Sequence, residues 1–400
     1  VNDFATIAGG SDRVALDEAL GLARRGHHVT LIAGQGDPDA ELIDAGVEVL
    51  STQQQTTLTD PNRMRAVTQG IWNRAAAALV DDVVARADPT STVIHIHGFT
   101  KILSPSVVRA AVKSGIPTVA TLHDYFVACP NGGLFNYQTN QICPLKPMSA
   151  QCIATHCDAR GYSHKLWRVG RQAVQHRFGA MPEGIDRLIS PSHSAAEIVR
   201  RFLPADVPLT ILSNPVSVSR LPAAQVASNE PFVMVGRLQR DKGGLLLARA
   251  ARAARTRVVF VGDGIDAAAI KRANPDAEIT GWLAPDQVRA VVRGARAVVN
   301  ASLLYEVQPL TLLEAAAEGI PAVVSDTSVA RLEIEDNGTG LSFRAGDAEA
   351  LGEKLTVLHA QPAMAARLGA AAYERFWAAP PDLSNHLDQL ERIYRDTSRR

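Results

Sequence analysis

Short β-branched runs alternate with longer stretches in which apolar residues recur every three to four positions, and the alternation continues nearly from end to end. Strands covered by helices on both faces are apolar along their whole length, so this pattern predicts doubly wound α/β layers with parallel sheets. Predicted strands of the first half are residues 28–33, 47–50, 92–97, 117–122, 187–190 and 209–212, with helical segments such as 12–25 and 63–86 between them. The second half repeats the scheme, with strands at 232–235, 257–261, 277–281, 297–301 and 322–325 and a helix at 309–318 that carries Pro309 at its first position. Between the halves, Asn214-Pro215, Leu221-Pro222 and Ser228-Asn229 mark a linker. The predicted organisation is therefore a first domain over 1–213, a linker over 214–230, a second domain over 231–375 and a final helical segment over 376–400.

Two places break the pattern. The chain reaches Gly9-Gly10 after only a few residues, where a first strand of about five or six should precede the loop. Either upstream residues are missing or the first strand is unusually short. The second break is residues 124–162, rich in Pro, Gly and Asn and holding every cysteine, and a loop of that length is usually functional or pinned by a metal.

Composition narrows the classes. Four hundred residues exceed one ordinary core and suggest two domains. Forty-one basic residues balance 41 acidic ones, which leaves no field for a nucleic-acid partner. No apolar run approaches the roughly 18 residues needed to cross a bilayer and no signal peptide is visible, so a cytoplasmic protein is expected, with peripheral contact at the inner membrane face still open. Oligomeric state is not legible.

Chemistry concentrates in the second half. Glu306 and Glu314 straddle a predicted strand-to-helix junction, Glu306 in the loop and Glu314 more than a turn into the helix, so the two acids must serve different parts of a ligand. Acids near helix starts also simply complement the dipole. Upstream, FVMVGRLQRDKG places Gly236, Arg237 and Lys242 just past a buried strand, where a planar guanidinium and a point charge suit a diphosphate. The dipole at the start of the helix near Pro309 would favour the same anion.

These motifs, GRLQRDKG, VGDG, EVQPLTLLEAAAEGIPAVVSD and NGTGLSF, resemble those of the retaining glycosyltransferases of family 4, and RRGHHVTLIAG, VIHIHG and TLHDY extend the likeness into the first half. The resemblance implies the GT-B fold, two Rossmann-like domains facing across a cleft, with an acceptor-binding first domain, a donor-binding second domain and a final helix crossing back to the first. Leu387, Leu390, Ile393 and Tyr394 have the apolar spacing of such a helix. It further implies transfer of a sugar from a nucleoside-diphosphate sugar (UDP- or GDP-linked) to a hydroxyl acceptor that is a saccharide, a lipid-linked saccharide or a small molecule, as in polysaccharide biosynthesis, with no catalytic cofactor. Arg237 and Lys242 would bind the diphosphate, Glu306 the transferred sugar and Glu314 the ribose. Gly9 and Gly10 would admit the donor phosphates, and His123 would line the reacting centre. His97 is expected to be structural or acceptor-facing. The chain departs from the family's Gly-Phe-Gly-like turn at Val307, Gln308 and Pro309, before Leu310, and Pro309 removes one backbone donor. Retention and a front-face mechanism without an enzymic nucleophile are implied by the family alone.

Cys129, Cys143, Cys152 and Cys157 are separated by 13, 8 and 4 residues. They suit a structural zinc, with His156 able to replace one thiolate, although reduced thiols or a disulfide fit the same spacing. Rival functions are a GT-B epimerase or phosphorylase, a sugar-nucleotide-binding protein without turnover, and an NAD-dependent oxidoreductase. The last rests on Gly262, Gly264 and Ala267 in a dinucleotide-like arrangement after the second strand of its domain rather than the first.

Overall fold

Apolar alternation does become strand and helix in the predicted order. The computed structural model describes residues 1–326, 331 and 334–399. The chain forms two units, one of Val1–Leu134, Pro144–Pro215 and Pro381–Arg400, the other of Phe135–Cys143 and Val216–Pro380.

In the first unit, β1 (Asn2–Phe4), β2 (Thr30–Gln35) and β3 (Glu48–Ser51) run parallel in that order. A second parallel sheet orders β4 (Ile94–Ile96), β5 (Thr118–Thr121), β6 (Arg187–Ser190) and β7 (Leu209–Ile211). The His97 amide donates to the Val1 carbonyl at 2.9 Å, which joins the end of β4 to the start of β1. The spatial order third, second, first, fourth, fifth is that of a doubly wound sheet. Helix α1 (Gly10–Arg24) follows β1 and buries Leu16 and Ala19 against Leu31, Ala33 and Val47.

Two expectations for this unit need correction. The predicted helix 63–86 is two helices, Arg63–Ile71 and Arg74–Val84. Asn73 divides them because its side chain caps the second, accepting from the Ala76 amide, while its own amide donates to Gln54 Oε1 and the Ile102 carbonyl. The segment 124–162 is also not structureless. It holds a hairpin, Phe135–Asn136 with Gln141–Ile142, which is counted with the second unit, and a short helix, Ala150–Ala154, in the first.

The second unit is one parallel sheet of β8 (Phe232–Val235), β9 (Val258–Val261), β10 (Glu278–Ile279), β11 (Ala297–Asn300), β12 (Ala322–Ser325) and β13 (Gly340–Phe343). Its order, β10-β9-β8-β11-β12-β13, again starts at the centre and winds outward both ways. Strand β13 was not foreseen from the sequence. Helix α2 (Leu310–Ala317) begins one residue later than expected, with Pro309 as the residue before it. Most of the expected linker belongs to this unit's body. Val216 packs with Ala317 and Phe376, Val226 joins the main core, and the Ala224 amide donates to the Glu318 carbonyl at 2.9 Å.

Residues 376–378 complete the helix Pro362–Ala378, so the final segment begins later than 376. The C-terminal helix Leu383–Ser398 belongs to the first unit, where Leu387, Leu390 and Ile393 pack on Ile189 and Leu212. Gly21 of α1 permits the approach, since a Cβ there would lie 2.5 Å from Leu387 Cδ1. Arg25 pairs with both Asp388 and Glu391 at the edge of this contact.

Candidate active site

The second unit places an ion pair at the carboxyl ends of its central strands. Past β8, Gly236 takes φ +142°, Arg237 is exposed and Lys242 closes the single turn Arg240–Lys242. Gly243 then adopts φ +73°, and a Cβ there would meet the Ala301 carbonyl oxygen at 2.1 Å. Only glycine lets this loop lie so close to the end of β11. Lys242 consequently reaches Glu306, and the two side chains pair directly. Asn300 Nδ2 donates to the other carboxylate oxygen at 2.6 Å. Glu306 is 11% exposed at its side chain. Burial alone would raise its pKa, but the Lys242 charge and the hydrogen bonds from Lys242, Asn300 and Ser302 hold it below the usual range. The result is an ionised, braced carboxylate at a strand end.

Val307 and Pro309 are buried and Gln308 and Leu310 half-buried, leading into α2, whose first turn has no side-chain cap. Those backbone N–H groups form the positive end of a helix. Glu314 is half-buried on α2. The structure thus joins Lys242 with Glu306, adds Asn300, which the sequence reading missed, and leaves the Arg237 side chain without a hydrogen bond or ion pair among the described residues. The dinucleotide-like glycines have a packing explanation. A Cβ on Gly262 would lie 2.1 Å from the Gly236 carbonyl oxygen, and one on Gly264 2.3 Å from that of Leu238.

In the first unit, Gly9 precedes α1 in extended backbone, and a Cβ there would touch only Asp12 Oδ2, at 3.7 Å. Nothing in the unit's own packing demands glycine at this position. Gly10 is exposed at the first turn of α1. His123, just beyond β5, lines an open pocket with His97, Thr100, Thr121, Asp124 and Phe126. Its Nε2 is 3.0 Å from His97 Nδ1, and the rings stack with 21° between planes. Behind them, His97 Nε2 and His95 Nδ1 lie 3.2 and 3.3 Å from Glu18 Oε2, while His386 Nε2 sits 3.0 Å from Glu18 Oε1. Tyr394 Oη and Thr121 Oγ1 take the two nitrogens of His95. Burial lowers the His123 pKa to about 3 and that of His95 to about 4, with the His97 charge adding to both. Burial pushes Asp124 the other way, up to about 6.

This histidine cluster was only partly legible. His95 lies on β4 and His97 directly follows it, two positions apart, a spacing that in extended backbone puts both side chains on one face. Glu18 is a carboxylate on the apolar stripe of α1 beside Leu16 and Ala19, a signal that the sequence reading passed over.

None of the four cysteines forms a disulfide. Lys165, fully buried, points its ammonium at Cys157 Sγ (3.2 Å) and Cys152 Sγ (3.5 Å), and Asn131 Nδ2 also reaches Cys157 Sγ at 3.2 Å. The Lys165 ammonium thus lies within hydrogen-bond reach of two of the four thiols.

Residues 8–220 match the family described as Glycosyltransferase Family 4, and residues 230–361 match Glycosyl transferases group 1. The chain belongs to glycosyltransferase family 4, and it is a glycosyltransferase. Glycogen synthase of Mycobacterium tuberculosis is 27% identical over 385 residues, covering 89% of this chain and 86% of that protein. Among solved structures, sucrose-phosphate synthase from Thermosynechococcus elongatus superposes with a TM-score of 0.69 at 19% identity, covering 99% of this chain and 95% of the other. Anabaena HepE, solved in complex with UDP, gives 0.64 at 16% identity over 99% and 100%. The two Rossmann-like units are those of the GT-B fold.

Proposed function

We propose that this protein transfers a hexosyl group, with retention, from a nucleoside-diphosphate sugar to a saccharide hydroxyl, the second unit holding the donor and the first the acceptor. The observation that carries this reading is the Lys242–Glu306–Asn300 cluster at the ends of β8 and β11, an ionised acid and a cation braced where α/β sheets bind ligands. Lys242 and Arg237 meet the diphosphate, and their charge stabilises the departing nucleoside diphosphate. The uncapped start of α2 faces phosphate oxygens. Glu306 accepts from hydroxyls of the transferred sugar and Glu314 from the ribose. Gly9 and Gly10 leave backbone space for phosphates, and His123 lines the reacting centre. The chemistry is positioning and charge stabilisation, with the leaving phosphate taking the acceptor proton. A UDP-sugar is the first donor to test, because Anabaena HepE was solved with UDP-glucose. Among the described residues no helix is long and apolar enough to cross a membrane.

A screen of UDP- and GDP-sugars with saccharide acceptors, read by nucleoside-diphosphate release and by NMR of the product anomer, tests the proposal. Lys242→Ala and Glu306→Gln are each expected to lower kcat/KM by about 10² to 10³, the range for removing one stabiliser of developing charge. Parent-like turnover in both variants would show that the donor site lies elsewhere.

A further inference from the structure

We infer that Glu18 Oε2, His95 Nδ1 and His97 Nε2 form a binding site in the first unit for one divalent transition-metal ion, zinc by the chemistry of the donors. The observation that points to an ion is the state of Glu18 Oε2. This carboxylate oxygen is buried and has no hydrogen-bond partner among the described residues, although its twin, Oε1, lies 3.0 Å from His386 Nε2. A buried carboxylate oxygen left without a partner is costly, and native folds avoid it. Two imidazole nitrogens do stand close to it, His97 Nε2 at 3.2 Å and His95 Nδ1 at 3.3 Å, but neither contact has hydrogen-bond geometry. Ligands of one ion stand in this relation, each aimed at a shared centre and past its neighbours.

Spacing and donor type both fit zinc. Bonds of about 2.0–2.1 Å from nitrogen and carboxylate oxygen, set at a tetrahedral angle, put neighbouring donors about 3.3 Å apart. The three donor atoms all lie within 4.8 Å of one another. Two imidazoles beside one carboxylate suit zinc and its transition-metal neighbours, whereas calcium and magnesium take oxygen donors. Tyr394 Oη, 2.7 Å from His95 Nδ1, hands that nitrogen to the ion and is placed to serve as a fourth donor. The far side of each ligand is already held: His95 Nε2 by Thr121 Oγ1 at 2.8 Å, His97 Nδ1 by His123 Nε2 at 3.0 Å, and Glu18 Oε1 by His386. Outer contacts of this kind orient imidazole and carboxylate ligands toward a metal. The side chains of Glu18, His95 and His97 are 4%, 10% and 6% exposed, so the ion keeps no open position for substrate and its role is structural. Glu18 belongs to α1, His95 to β4, and Tyr394 and His386 to the C-terminal helix. One ion would fasten three segments that lie far apart in sequence.

Zinc can be counted without any sugar substrate. The whole chain, stripped with a chelator and returned to Zn²⁺ at neutral pH, is expected to retain about one equivalent after dialysis, and Zn²⁺ should raise its Tm, since an ion bound to the folded state alone stabilises it. Hydrogen exchange should slow in residues 383–398. Glu18→Gln and His97→Asn should each weaken Zn²⁺ binding by at least about 100-fold, while Thr121→Val, which removes only an outer contact, should weaken it by about 10- to 100-fold. Co²⁺ in place of Zn²⁺ should give the visible bands of a four-coordinate site without thiolate-to-metal charge transfer, which separates this site from the cysteines. A parent protein that retains no Zn²⁺ overturns the inference, whether or not the variants fold. So does Zn²⁺ that Cys157→Ser abolishes and Glu18→Gln leaves in place, because the ion would then sit among the thiols. Parent-like affinity in both Glu18→Gln and His97→Asn would overturn it equally.

Discussion

Asp124 shows what a single buried acid contributes at the residue scale. Its Oδ1 accepts from the Phe126 amide at 2.8 Å, yet burial dominates and lifts the pKa to about 6. A carboxyl whose folded pKa exceeds its unfolded value binds more protons when folded, so its contribution to stability falls as pH rises from about 4 to about 6. Asp124→Asn keeps the acceptor oxygen and removes the charge. Its stability relative to the parent should rise by on the order of 1–2 kcal/mol between pH 4 and pH 8, allowing for partial exposure, as read by chemical denaturation at both pH values. Residue identity alone singled out Glu306, Lys242 and His123 as candidates, because each follows a strand end in a recognisable motif. It did not reveal Asn300 or Glu18, because a polar residue at the end of an apolar strand or helix stripe looks like an ordinary boundary until its partner is known.

At the scale of elements, periodicity located the long helices and the central strands, and failed where a local polar contact overrode it. The 63–86 stretch reads as one amphipathic helix, but Asn73 offers its side chain to a new first turn and is fully buried in doing so. Strand β13 escaped notice because Gly340 and Ser342 lower its strand character, while in the sheet Gly340 is what lets the backbone approach, a Cβ there lying 2.5 Å from the Ala322 carbonyl oxygen. The C-terminal helix was readable from its spacing, and its docking has a measurable cost. Leu390 is fully buried in the cluster that also holds Ile189 and Leu212. Leu390→Ala should destabilise the first unit by about 2–5 kcal/mol, the range for a leucine truncated in a packed core, and hydrogen exchange should speed up first in residues 383–398.

For the whole molecule, the histidine cluster gives the two units different responses to acid. His95 and His123 hold pKa values of about 4 and about 3, below the roughly 6.5 of an unfolded histidine. Between those limits the unfolded chain binds more protons, so stability falls as pH drops below about 6.5. Glu18 adds to the loss further down, since its depressed pKa contributes stability that disappears as pH falls through the carboxylate range. Asp124 works in the opposite sense over pH 6 to 4, but as one group against two histidines it does not reverse the direction. The first unit should therefore lose thermal stability between pH 7 and pH 5 before the second does, which differential hydrogen exchange at the two pH values would register. Equal loss in both units would contradict this account.

The amino-acid pattern by itself determined that the chain forms two parallel α/β units and singled out residues 306–314 as a candidate ligand site, because those properties depend on local periodicity and short motifs. Tertiary structure decided which side chains meet. Glu18 and His386 are 368 positions apart and still share a hydrogen bond, and Lys242 finds Glu306 only because Gly243 lets two loops touch. No local spacing encodes such pairs. They follow from which strands become neighbours and how closely the backbones between them can approach.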